Sequence, residues 1–337
     1  MTGATPSLPN VAATWVGPSP WLAFHLFRED ALDALLCQIV KPIIQDLLAR
    51  QRIHGFFFIR YPEGGHHIRL RLRLPPDAAG VRGTAEETRL RLEQDCASAG
   101  CTPVPAPFEP EVERYGGAQA LPASLNLFVL SSLDALNFAE EWRHAARGRQ
   151  LSEALLRILG LALELAGDTE ELMALLDYFS GWRAQMGMAI AKADAFFDLR
   201  QDTLLLHFQE TVAPFLEENT SPAPLAEGCR ALTHALDTLE PPRRRGILGS
   251  QLHMAANRMG LLNAEEGYLT RLLCRCASRF ATQFPETWRS LDDALRARRV
   301  HHLTSASAPA SVPEWMSQAL TRFAQAPASR PAPILQA

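Results

Sequence analysis

The alternation of polar and apolar positions is sharpest at His67-Ile-Arg-Leu-Arg-Leu-Arg-Leu74. Side chains of a strand point to alternate sides, so Ile68, Leu70, Leu72 and Leu74 share one face and His67, Arg69, Arg71 and Arg73 the other. The first face calls for a core. The second must meet water, acidic groups or an anionic ligand, because a buried guanidinium without a partner is costly. A solvated face and a carboxylate or phosphate clamp both fit the pattern.

The neighbouring segments supply a sheet for this strand. Trp21-Leu-Ala-Phe-His-Leu-Phe27 is short, aromatic and strand-like. Leu32, Leu35, Leu36, Val40, Ile43, Ile44, Leu47 and Leu48 then recur at helical spacing, and Pro42 inside that pattern predicts a kink. Phe56-Phe-Phe-Ile-Arg-Tyr61 reads as a second strand, joined to the arginine strand by the turn residues Pro62-Glu-Gly-Gly65. A polar helix over about 84–99 follows. Pro107 to Tyr115 is the candidate fourth strand, on an edge because of Pro110. Strand, helix, strand, strand, helix, strand is the split βαβ, ferredoxin-like order. Residues 21–117 are therefore expected to form an α+β sheet region.

From 118 to about 300 the periodicity is helical, with amphipathic segments near 132–145, 151–166, 169–196, 199–218, 224–238 and 264–298. This half is expected to form one catalytic unit with the sheet, covering its arginine face as a lid. Residues 1–20 and the Ala/Pro/Ser-rich 301–337 read as flexible ends, with one short helix near 313–324. The fold class predicted is α+β, an N-terminal ferredoxin-like sheet followed by a mostly helical C-terminal half.

Composition narrows the function. The 337 residues carry a net charge of −4, with 47% hydrophobic and 21% charged residues, which gives no electrostatic reason to expect direct nucleic-acid binding. The six cysteines show neither zinc spacing nor a disulfide framework, so reduced thiols in a cytoplasm are expected. No secretion signal or membrane-length apolar run is apparent, and no membrane role is expected. His66-His67 and His301-His302 lack metal spacing, and no dinucleotide, Walker or Gly-x-Ser-x-Gly fingerprint occurs, so no metal or cofactor is expected.

Two further stretches carry candidate chemistry. In Glu109-Pro-Glu-Val-Glu-Arg-Tyr115, alternation puts Glu109, Glu111 and Glu113 on one face, suited to pairing with the arginine strand. Arg114 stands where Tyr115-Gly116-Gly117 ends the strand, and local twist can turn it toward a site. In Gly249-Ser-Gln-Leu-His-Met-Ala-Ala-Asn-Arg258, Ser250, His253, Met254 and Asn257 fall on one helical stripe. Ser250 and Asn257 can orient His253, whose imidazole suits proton transfer near neutral pH. Arg243-Arg-Arg245 reads as a solvated turn.

In this order, Trp21–Phe27, Phe57–Tyr61, Gly64–Arg71, Glu111–Gly117 and Ser250–Arg258 resemble the C-terminal glutamate-elimination domain of class I lantibiotic dehydratases, also found free-standing in thiopeptide-type bacteriocin clusters. The resemblance runs from about Trp21 to about Phe280. It implies a lyase that removes glutamate from glutamylated Ser or Thr of a precursor peptide, leaving dehydroalanine or dehydrobutyrine. The implied partners are that peptide and a separate tRNA-dependent glutamylating enzyme, with this chain as the eliminating half. A homodimer is one open arrangement. The family's functional positions map onto Arg69 or Arg71, Arg114, Glu111 and His253. Arginines would hold glutamate and stabilise negative charge, Glu111 would orient an arginine, and His253 would move protons, with Tyr115, Ser250 and Asn257 lining the substrate. The same family includes pyridine synthases, which join two dehydroalanines by a formal [4+2] cycloaddition. A non-catalytic peptide-binding subunit is the third reading.

Overall fold

The computed structural model describes residues 14–16, 19–76, 78–178, 183–217, 224–305 and 313–326. Two compact units emerge: one runs through Pro110 and takes in the last described helix, the other begins at Glu111.

The first unit is built on a five-stranded antiparallel sheet: β1 (Thr14–Val16), β2 (Ser19–Phe27), β3 (Gly55–Tyr61), β4 (His67–Arg73) and β5 (Thr102–Ala106). β4 lies between β2 and β3, and both β5 and β1 pair with the far side of β2. Leaving β1 aside, this is the ferredoxin-like order. Helices α1 (Leu32–Leu35) and α2 (Lys41–Ala49) flank a π turn, Leu36–Val40, so the disturbance expected at Pro42 falls in the turn just before it. Helix α3 (Ala78–Ser98) leads to β5.

Register decides the two faces. Leu22, Phe24 and Leu26 of β2 and Phe56 and Phe58 of β3 pair with the apolar positions of β4, and Ile68, Leu70, Leu72 and Leu74 are fully buried. At roughly 25 cal/mol per Å² of apolar surface removed from water, this layer is the unit's main source of cohesion.

The fourth strand differs from the expectation. It is Thr102-Pro-Val-Pro-Ala106, with Pro103 opposite Leu26 and Pro105 opposite Phe24. Proline is tolerated there because the strand is an edge, where a missing N–H need not break a ladder. Glu113–Tyr115 is a 3₁₀ turn, so Glu109, Glu111 and Glu113 do not share a strand face.

The second unit is helical: α4 (Gly117–Trp142), α5 (Arg147–Leu165), α6 (Thr169–Leu176), α7 (Arg183–Leu216), α8 (Pro224–Ala235), α9 (Pro241–Arg258), α10 (Asn263–Gln283) and α11 (Pro285–Ser305). Helix α4 begins well before the expected 132 because it is apolar on every side and buried, and so lacks an amphipathic stripe to read. It is 26 residues long and apolar enough to cross a membrane, but 72% of its most apolar window is buried inside the protein, as in a core helix. The expected single segment 264–298 is two helices, parted at Phe284-Pro285.

Arg243-Arg-Arg245 is not a turn. Pro241 and Pro242 occupy the first helical positions, where a missing N–H costs nothing, and the arginines form the first turn of α9. Arg244 is buried and gives the Nε–Nη2 edge of its guanidinium to Glu171, at 2.8 and 3.2 Å, while Nη1 donates to the Thr233 carbonyl at 3.3 Å.

The expected tail also changes. His301-His302 belongs to α11, and α12 (Glu314–Gln325) packs Met316, Leu320 and Phe323 inward. Gln45 donates to the Phe323 carbonyl at 2.9 Å, and the Phe323 ring lies 5.9 Å from Phe56. The rest of the expected flexible ends lies outside the described residues, except for the short β1 and the start of β2.

Candidate functional site

On the sheet face opposite the leucines, pairing aligns Trp21 with Arg73, Ala23 with Arg71, His25 with Arg69 and Phe27 with His67; β3 adds Phe57, Ile59 and Tyr61. This face is aromatic and cationic, and it is only partly solvated, with His25, Tyr61 and Arg69 half-buried. His67, Arg71 and Arg73 are 2%, 8% and 8% exposed.

What holds these groups is unusual for buried arginines. Arg69 lies flat on Tyr61, 3.3 Å from the ring centroid, and its Nε donates to His67 Nε2 at 3.3 Å. Because that nitrogen accepts, the His67 proton sits on Nδ1 and is donated to the Gly65 carbonyl at 2.7 Å. Arg71 donates to its neighbour Leu70's carbonyl at 3.1 Å and reaches His25 Nε2 at 3.4 Å, with Phe108 5.6 Å away. Neither Arg69 nor Arg71 has a carboxylate partner among the described residues. Burial, and then the neighbouring Arg69, pulls the Arg71 pKa down to about 10, so it remains charged at neutral pH.

The two histidines stay neutral in this field. Burial and the Arg71 charge lower His25 to about 4, while burial also lowers His67 against the opposing Gly65 hydrogen bond. Their rings stack at 5.0 Å. Neutral acceptors and π faces fix the two guanidinium groups without cancelling their charge. That arrangement can receive a carboxylate or phosphate bidentately.

The second unit holds the other expected residues in separate groups. Arg114 pairs with Glu111 at 3.0 Å, three residues apart across the 3₁₀ turn, and both side chains are substantially exposed. Glu113 pairs instead with Arg243 at 2.8 Å. Tyr115 is buried edge-on against Phe128, and its carbonyl accepts from Ser124. The following Gly116 has φ +94°, and a Cβ there would sit 2.6 Å from Ala120, so glycine is required on both counts.

Along α9 the expected stripe divides. Ser250 donates to the Gly246 carbonyl and lies 3.3 Å from the Tyr178 hydroxyl; it does not orient His253. A Cβ at Gly249 would meet the Tyr178 ring at 2.0 Å, so this glycine creates the room for Tyr178. His253 Nδ1 meets Glu266 Oε2 at 2.9 Å. Burial raises the Glu266 carboxyl to about 7, against the pull of the His253 hydrogen bond. A carboxyl held near neutrality therefore touches the His253 imidazole, an arrangement suited to proton transfer. Asn257 is half-buried on the same helix. Arg258, fully buried, lies 4.3 Å from the Phe128 ring centroid and donates to Ser131 Oγ at 3.1 Å.

Sequence reasoning missed His25, Tyr61, Tyr178 and Glu266 as participants. His25 could have been found, because it stands midway in a strand whose apolar positions alternate around it. The other three carry no local signal. A small cavity of about 20 Å³ near Gly167 in the helical unit is lined by Arg244, Arg298 and Arg299, which all face carboxylates, so it lacks unused charge. Among the described residues no cluster of three or more His, Cys, Asp or Glu could hold a metal.

Solved structures of similar fold include the tRNA-dependent lantibiotic dehydratase MibB from Microbispora sp. 107891, at 18% identity and TM-score 0.56, matching 84% of this chain and 29% of that one. TsrL matches at 15% identity and TM-score 0.55 over 82% of this chain and 99% of its own. The pyridine synthase TbtD from thiomuracin biosynthesis matches at 12% identity and TM-score 0.59 over 78% of this chain and 99% of its own. The chain thus spans under a third of MibB but nearly the whole of the other two. No curated protein matches it. The model of the lantibiotic biosynthesis dehydratase C-terminal region matches residues 21–277, most of the chain. The protein accordingly belongs to the lantibiotic biosynthesis dehydratase C-terminal family, which acts in the maturation of modified peptides.

Proposed function

We propose that this protein eliminates glutamate from glutamylated Ser or Thr residues of a ribosomally made precursor peptide, as a lyase working after a separate tRNA-dependent glutamylating enzyme. The observation that carries this reading is the Arg69–Arg71 pair, buried or half-buried, charged and without a carboxylate among the described residues. A leaving glutamate brings carboxylates that such a pair can hold.

The reaction is redox-neutral. The α-proton leaves, the Cα=Cβ double bond forms, and the Cβ–O bond breaks to release glutamate as its carboxylate. In this reading Arg69 and Arg71 bind the glutamyl group, and His253, held by Glu266, moves the proton. Arg114, steadied by Glu111, stabilises the developing enolate. A preorganised donor of that kind is worth roughly 10²–10³ in rate. Tyr115, Ser250 and Asn257 support the substrate side.

A second reading has its own support: the pyridine synthase TbtD is matched over 99% of its length, whereas the match to MibB is confined to 29%. One experiment separates them. The protein is mixed with glutamylated precursor peptide and, separately, with dehydrated peptide, and masses are followed. Loss of the glutamyl adduct with net dehydration supports elimination. A ring-closed product from the dehydrated peptide, with release of its leader, supports cycloaddition. Unchanged masses with measurable binding favour a peptide-binding subunit. Under the elimination reading, His253→Ala and Arg114→Ala stall at the glutamylated ester; near-normal turnover in both refutes the site assignment.

A further inference from the structure

Helix α9 gives up a side chain to admit Tyr178. Gly249 lies inside the helix, where glycine is less stable than alanine, and a Cβ there would fall 2.0 Å from the Tyr178 ring. The ring therefore lies directly on the backbone of α9, brought there by the chain leaving α6 just after Leu176. Phenylalanine would fill that slot as well as tyrosine does. The slot accounts for the ring and leaves the hydroxyl to be explained.

That hydroxyl lies among groups already placed in the helical unit. It is 3.3 Å from Ser250 Oγ, and Ser250 is buried. Ser250 and His253 are three residues apart on α9, so they are neighbours on its surface. Tyr178 is also close enough to Arg114 and Tyr115 to interact with both electrostatically. The 3₁₀ turn Glu113–Tyr115 is itself tied to α9 by the Glu113–Arg243 pair at 2.8 Å. Tyr178 thus stands between two groups far apart in the sequence: Arg114 with Glu111 on the turn, and His253 with Glu266 on the helices.

The phenolic proton can be released toward a ligand. Ser250 donates to the Gly246 carbonyl at 3.0 Å, and that helical carbonyl also receives the Ser250 N–H. The Ser250 hydroxyl can turn to Tyr178 without leaving the carbonyl unpaired, and the phenol then donates away from Ser250. Tyr178 is only half-buried and can reach a bound peptide.

We propose that Tyr178 is a further catalytic residue, whose hydroxyl donates to the carbonyl oxygen of the substrate residue as its α-proton leaves. This role rests on the elimination reading. Arg114 supplies charge and Tyr178 a directed hydrogen bond to the same developing enolate oxygen. No bond to Tyr178 forms or breaks, and the α-proton passes to His253.

Steady-state elimination by wild type, Tyr178→Phe and Ser250→Ala on glutamylated precursor peptide tests it. Tyr178→Phe keeps the ring in its slot, so the unfolding midpoint should hold. Its kcat should fall roughly 10²-fold with KM unchanged, the signature of a contact made only in the transition state. Ser250→Ala should lower kcat by less, since it loosens the phenol without removing it. Tyr178→Phe with undiminished kcat, or with its loss confined to KM, overturns the role of Tyr178 and leaves the elimination reading standing. A slowed Tyr178→Phe whose midpoint also drops assigns the hydroxyl to folding and overturns the role too, as does a larger loss in Ser250→Ala. Wild type that leaves the glutamyl ester intact removes the reading and the role together.

Discussion

Two sets of buried arginines do different work. In the helical unit, Arg244 is 4% exposed at its side chain and gives its guanidinium to Glu171, itself tied to the Gly167 N–H at 2.7 Å. On the sheet, Arg71 is about as buried but faces a histidine and a backbone carbonyl, while Arg69 rests on a tyrosine ring and a second histidine. The Arg244 charge is neutralised where it stands, so it serves packing and offers nothing to a ligand. The charges of Arg69 and Arg71 are held in position but not cancelled, and that excess is what an anionic substrate can use. Burial alone does not distinguish the two; the chemical nature of the partner does.

The contrast can be broken most forcefully at Glu171. Glu171→Ala takes the two-bonded counter-charge from buried Arg244, leaving it only Asp237 at 3.7 Å, and should cost about 3 kcal/mol of stability in urea unfolding. Arg71→Met removes a charge that leaves no buried carboxylate behind. It should therefore change stability by no more than about 1 kcal/mol, in either direction, while lowering the proposed elimination by roughly 10²–10³. Equal stability losses in the two variants would show that the distinction is false.

Gly249→Ala should have a smaller effect. The new methyl runs into the Tyr178 ring and forces it to move, at a cost of about 1–3 kcal/mol. An unchanged midpoint for this variant would mean that Tyr178 does not lie where α9 makes room for it.

The two regions should also differ in their response to pH. His25 has its folded pKa lowered to about 4, so the unfolded chain binds more protons below about 6.5. Its contribution to stability is present above that value and is lost as pH falls through about 4. Glu266 behaves oppositely. Its folded pKa is raised to about 7, so its contribution is full below about 4.5 and is lost as pH rises through about 7. Urea unfolding across this range should show the acid-side slope reduced by His25→Phe and the neutral-side slope reduced by Glu266→Gln. Parallel curves for either variant and the wild type would refute that residue's assignment.

The sequence was informative where one physical rule governed a short stretch. Strand alternation assigned the two faces of β4 before any partner was known, since a period of two leaves a strand only one way to bury Ile68, Leu70 and Leu72. Turn residues placed the β3–β4 hairpin, and the succession of elements gave the ferredoxin-like order. It misled where local signals competed. Prolines at 103 and 105 concealed an edge strand, the acidic stretch to Glu113 imitated one, and α4 was too uniformly apolar to show a period.

By itself, then, the sequence determined that a strand carries arginines on one face and leucines on the other, and that Arg114, Glu111 and His253 are available chemistry. Only the tertiary structure decided that Glu266 meets His253, that Tyr178 meets Ser250, and that Tyr61 and His25 brace the arginines. Tyr178 and Ser250 are 72 residues apart and His25 and Arg71 46, while the nearer pairs meet only because a hairpin and a helix–helix turn fold them together. The arginine strand could have been solvated, neutralised or held ready for an anion. Which of these it is depends on the side chains that folding brings beside it, and local spacing does not encode them.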